Sequence, residues 1–113
     1  MRCNCSYCAK TRAWLGFAKG AEALRVTEGK DVVAAYRWTP AGQDAPRLTH
    51  SFCQRCGTRL FGRGDLAALG GTFYGVSINV LAIDAEELSA SPLRYVDGVH
   101  DRFDVAPPHP ELV

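Results

Sequence analysis

Apolar positions along this chain alternate with polar ones more clearly than they follow a helical period, and the alternation predicts strands. The strongest run covers residues 73–81, with Phe73, Gly75, Ser77 and Asn79 on one face and Tyr74, Val76, Ile78 and Val80 on the other. Residues 32–38 are rich in β-branched and aromatic side chains and stop at Thr39-Pro40. Residues 47–52 alternate and lead into Cys53, and residues 58–61 lead away from Gly57, which puts a Cys53–Gly57 turn at the tip of a β-hairpin. A shorter strand is expected at residues 24–27, turned by residues 28–31 into the run that starts at Val32. Residues 41–46 read as a polar loop and residues 62–72, rich in glycine, as a mobile one. Helix is scarce: a short turn within residues 9–15, and a single turn capped by Asp84 with Glu87 three residues on. The expected architecture is one small, mainly β domain over residues 1–104. A tail over residues 105–113, holding Pro107, Pro108 and Pro110, is expected to be extended or disordered.

Charge narrows the functional classes. Thirteen basic and twelve acidic residues leave the chain near neutrality, which argues against nucleic acid as a partner, since such binders carry a basic stripe. Arg2, Lys10, Arg12, Arg55, Arg59 and Arg63 give local basic character, read first as counter-charge for anionic thiolates. No apolar stretch approaches the roughly 20 residues of a membrane span, so no membrane partner is expected.

The candidate chemistry lies in the cysteines. All five fall in two tight clusters, Cys3-Asn4-Cys5-Ser6-Tyr7-Cys8 and Cys53-Gln54-Arg55-Cys56-Gly57. Thiolates packed this closely favour a soft cation, and zinc is the usual one. The second cluster has the form of a zinc knuckle, and the first can place three thiolates on one ion. A disulfide framework fits less well: it needs an oxidising compartment, the odd count leaves one thiol over, and the sequence opens Met1-Arg2-Cys3 with no apolar signal segment. The same features imply a cytoplasmic location. A thioredoxin-type redox pair would open a helix in a βαβ unit, whereas Cys53 follows a strand and precedes a turn.

The motif Cys3-Asn4-Cys5-Ser6-Tyr7-Cys8-Ala9-Lys10 resembles the C-H-C-S-x-C-R-K signature of the glutathione-dependent formaldehyde-activating enzyme family, which also includes centromere protein V. Phe52-Cys53-Gln54-Arg55-Cys56-Gly57-Thr58 is similar to that family's F-C-x-x-C-G-T knuckle, and residues 24–29, residues 74–80 and Asp97-Gly98 resemble further family positions. The resemblance implies a β-tent fold of antiparallel sheets with two zinc sites. It gives Cys3, Cys5 and Cys8 to a catalytic zinc, and Cys53 and Cys56 to a structural zinc shared with two cysteines of an N-terminal strand. That strand is not found here. Three arrangements stay open. They are a start upstream of Met1; a knuckle completed by a partner subunit, water or another side chain; and a site in which Cys3 and Cys5 join Cys53 and Cys56, leaving Cys8 free.

The activity implied is carbon–sulfur lyase chemistry, the reversible joining of glutathione and formaldehyde into S-hydroxymethylglutathione, or a reaction of a related thiol adduct. Three thiolates on zinc leave a fourth position for a further thiolate. Arg2, Lys10, Arg12 and Arg55 are candidate clamps for glutathione's carboxylates. The expected partners are thus a small thiol such as glutathione and a second copy of the chain. The alternative is a non-catalytic, zinc-stabilised β domain that binds a protein or nucleic acid. Among the remaining residues, His50 is read as lining a sheet face, His100 as a loop residue that can approach the open site, and His109 as part of the tail. Trp14 and Trp38 are read as core or rim aromatics, and Asn79 as a site-facing or strand-edge residue.

Overall fold

The structure is a computed structural model that describes all residues, 1–113. It is mainly β, as the alternation predicts. Its strands are β1 (Arg2–Cys3), β2 (Leu15–Ala18), β3 (Val33–Trp38), β4 (Leu48–Cys53), β5 (Arg59–Leu66), β6 (Gly71–Ser77) and β7 (Tyr95–Val96), with two short helices, α1 (Ser6–Thr11) and α2 (Ala85–Ala90). Strands β2-β6-β5-β4-β3 form a five-stranded sheet in that order, and β1 pairs with β7 in a separate two-stranded one. No helix is long and apolar enough to cross a membrane. The chain divides into two compact units, Met1–Gly16 with Ser77–Val113, and Phe17–Val76.

In the unit Phe17–Val76, β3, β4, β5 and β6 pair antiparallel in succession. The knuckle closes the β4–β5 hairpin, as its sequence implies: Gly57 takes φ +74, Gly57 N donates to Cys53 O at 2.8 Å, and Cys53 N donates to Thr58 O at 2.9 Å. Only glycine holds that left-handed conformation without cost. Residues 24–27 form no strand, contrary to expectation; they follow a 3₁₀ turn at Ala21–Ala23.

The glycine-rich residues 62–72 are not a mobile loop. They complete β5, turn through Ala67–Leu69 and start β6. A Cβ on Gly62 would lie 2.6 Å from Thr49 O, and one on Gly64 would lie 2.4 Å from the Phe73 ring. Glycine here permits close approach inside a sheet rather than looseness. The run starting at Phe73 is also shorter than its apolar pattern suggests. It leaves the sheet at Ser77 and enters a 3₁₀ turn, Ile78–Val80, where Asn79 is exposed.

The unit Met1–Gly16 with Ser77–Val113 holds the buried apolar core, made of Cys3, Cys8, Ala13, Leu15 and Val96 with Met1, Cys5, Tyr7 and Phe103 packed against it. Two of the five core residues are thus cysteines. Helix α2 starts as predicted, with Asp84 Oδ1 accepting from Glu87 N at 2.7 Å. The proline-rich tail is anchored rather than disordered: Pro107 is buried and Pro110–Leu112 form a 3₁₀ turn.

Candidate metal centre

Local structure brings Cys3, Cys5 and Cys8 together. Cys3 is fixed by the parallel β1–β7 pairing, in which Cys3 opposes Val96 and Arg2 N donates to Arg94 O at 2.8 Å. Cys5 is the N-cap of α1, its carbonyl accepting from Ala9 N at 2.9 Å. Cys8, three residues on, returns to the same helical face one turn later. Arg12, at φ 50, ends the helix in the left-handed region. The three sulfurs lie within 4.8 Å of one another, with Cys3 and Cys8 buried and Cys5 half-buried. Cys8 thus joins Cys3 and Cys5 in one cluster.

The electrostatics of the triad are those of sulfurs crowded around one charge. Hydrogen bonds from Cys3 and then Cys8 hold the Cys5 thiol far below its ordinary range, helped by the backbone N–H groups of Cys8 and Tyr7. Cys3 is pushed up, first by its hydrogen bond to Cys5. Cys8 is pushed up strongly by its hydrogen bonds to Cys3 and Cys5 and by burial. Without a cation the cluster accommodates one thiolate readily and opposes the next. A divalent ion removes that opposition, so the donor set fits a soft metal.

A polar clasp surrounds the triad, and sequence reasoning did not assign it a role. Asn4, between Cys3 and Cys5, donates through Nδ2 to Asp97 Oδ1 at 2.7 Å and accepts at Oδ1 from Val99 N at 3.0 Å. Asp97 is buried and also meets His100 Nδ1 at 2.7 Å. Its hydrogen bonds from Asn4 and then His100 hold the carboxyl below its ordinary range. Gly98 lies against the sulfurs: a Cβ there would stand 2.4 Å from Cys3 Sγ and 3.2 Å from Cys5 Cβ. The signal in the sequence was the Asp97-Gly98 pair, though nothing in its pattern ties it to Asn4.

The other candidates are dispersed. Cys53 and Cys56 sit at the β4–β5 tip, Cys56 exposed. The Thr58 hydroxyl, 3.2 Å from Cys56 Sγ, lowers that thiol. His50 lines the sheet as expected, opposite Tyr36 in register and stacked on its ring at 6.2 Å, with Arg59 Nη2 at 3.4 Å from Nδ1. Two of the candidate carboxylate clamps serve the tail: Arg2 Nη1 donates to Val113 O at 2.8 Å while its guanidinium lies over Trp14, and Arg12 Nη1 donates to Leu112 O. Lys10 and Arg55 are exposed, and His109 pairs with Glu111 at 3.2 Å.

A mainly β chain with a buried three-thiol cluster belongs to the class of small cysteine-rich domains that can hold a metal ion. More particularly, residues 1–94 match the model of the glutathione-dependent formaldehyde-activating enzyme family, and the chain belongs to that family. No curated protein and no solved structure matches it.

Proposed function

We propose that the chain is a zinc-dependent carbon–sulfur lyase that joins a glutathione-like thiol to formaldehyde, with Cys3, Cys5 and Cys8 as the metal ligands of the catalytic site. The observation that carries this reading is the number of donors. The triad brings together three sulfurs within 4.8 Å, one short of a closed tetrahedral site. Three protein ligands and one exchangeable position are the arrangement of catalytic rather than structural zinc. A zinc ion bound there would supply Lewis-acid binding for a further thiolate. The chain's own residues do the rest. β1 and α1 set the three sulfurs, Asn4 and Asp97 lock the turn that carries them, and Gly98 keeps the approach to Cys3 free of a side chain. The knuckle pair Cys53 and Cys56 offers two thiolates to a separate structural ion at the hairpin tip.

The test is exchange between free glutathione, formaldehyde and their adduct at equilibrium, followed by magnetisation transfer. The adduct also forms in water, so exchange at equilibrium reads the enzyme more cleanly than initial rates. Acceleration by the zinc-loaded chain and its loss in Cys5→Ser support the reading. Exchange at the buffer rate by the wild type refutes it and leaves the zinc-stabilised binding domain as the better account.

A further inference from the structure

The turn that closes over the triad carries a charge-paired histidine that metal ligation does not use. Asp97 opens it, with its N–H donating to Arg102 O and Val105 O at 3.0 Å each, and Asp101 closes it at φ 55. Gly98 presses this turn against Cys3, and Asn4 ties it to the loop between Cys3 and Cys5. His100 lies two residues beyond Gly98. Its Nδ1 is 2.7 Å from Asp97 Oδ2. An ionised carboxylate only accepts hydrogen bonds, so Nδ1 must donate, and the neutral ring then carries its lone pair on Nε2. The His100 side chain is 67% exposed while Asp97's is only 9% exposed. The pair therefore has a buried, anchored carboxylate and an imidazole edge open to an incoming molecule.

We propose that His100 is the proton carrier of the thiol site and that Asp97 is its positioning residue. This rests on the lyase reading above. As the glutathione thiol binds, its S–H proton passes to Nε2 of His100; the resulting thiolate sulfur then bonds to the formaldehyde carbon and the C=O π pair moves onto oxygen. That oxygen then takes the proton back from Nε2 and becomes the hydroxyl of the adduct. Breakdown runs the same transfers in reverse. One proton moves from sulfur to oxygen, and no oxidant or further reactant is needed. Asp97 holds Nδ1–H throughout and stabilises the imidazolium as it forms.

The experiment uses the full zinc-loaded chain in the glutathione–formaldehyde exchange assay, with zinc content measured on each variant. His100→Ala is expected to keep its zinc and slow exchange about 10- to 100-fold. That is at or below the roughly 10²–10⁴ of general acid–base catalysis, because water reaches this exposed site. Free imidazole is expected to restore part of the rate in His100→Ala, which a structural role would not allow. His109→Ala, which changes the exposed pair with Glu111, is expected to match wild type. Independently of activity, ¹⁵N NMR of the imidazole should show the Nδ1–H tautomer in wild type and its loss in Asp97→Asn. An active wild type with an equally active His100→Ala overturns the proton-carrier role alone. So does a slow variant that imidazole leaves unrescued, or a wild-type ring in the Nε2–H tautomer. An inactive wild type overturns the lyase reading and the role together.

Discussion

Adding one methyl group at Gly98 tests whether the turn 97–100 supports the thiol cluster. In Gly98→Ala the new Cβ would stand 2.4 Å from Cys3 Sγ and 3.2 Å from Cys5 Cβ. The first distance lies more than an ångström inside ordinary contact of about 3.5–4.0 Å. Cys3 is buried and held by its pairing with Val96, so it has little freedom to withdraw. The turn must then move, and with it the backbone N–H and carboxylate partners of Asn4. Overpacking of this kind costs about 1–3 kcal/mol. If that strain falls mainly on the metal-bound state, it weakens the triad's affinity by roughly 5- to 150-fold at 1.4 kcal/mol per decade. The assay is competition for zinc against a chromophoric chelator, in a background where Cys53 and Cys56 are both serine so that only the triad is read. Gly62→Ala, which clashes with Thr49 O at 2.6 Å in the β4–β5 pairing, is the control. It should lower Tm and leave the triad's affinity unchanged. Unchanged affinity in Gly98→Ala would refute the claim that this turn supports the site.

Two further perturbations follow from the same geometry. Asp97 has a depressed carboxyl, so its contribution to stability is complete above its unfolded pKa of about 3.9 and is lost as pH falls through the lower folded value. Acid unfolding of the reduced, metal-free chain should thus be steeper below about pH 4 in wild type than in Asp97→Asn, and parallel acid limbs would contradict the assignment. If Cys53 and Cys56 share a structural ion, Cys56→Ser should lower metal content and Tm together, since the free energy of metal binding is folding free energy; unchanged melting would remove the knuckle from the stability account.

What the sequence made legible was whatever depends on local spacing. The strands at Val33–Trp38 and Leu48–Cys53, the knuckle turn with its left-handed Gly57, and the Asp84 cap all follow from neighbours within a few residues. So did the triad, because the C-x-x-C step puts Cys5 at a helix N-cap and Cys8 one turn along. Elements that depend on distant partners were missed. The two-residue strands β1 and β7 have no periodicity to detect and exist through pairing with each other across most of the chain. The glycines of β5 read as a loop because the signal for close approach lies in Thr49 and Phe73, not beside them. The clasp of Asn4 on Asp97 joins residues 93 positions apart, and no local rule connects them. Arg2 and Arg12 suggested substrate clamps by type and position, but the tail carbonyls already engage them.

The central claim is that Cys3, Cys5 and Cys8 hold a metal whose fourth position accepts a thiol. Zinc K-edge absorption fine structure tests it directly, on the zinc-loaded chain with Cys53 and Cys56 both replaced by serine. The account predicts three sulfur neighbours at about 2.3 Å and one lighter oxygen or nitrogen neighbour, with the lighter one replaced by a fourth sulfur when glutathione is added. Fewer than three sulfurs, or a coordination shell that glutathione leaves unchanged, would contradict it.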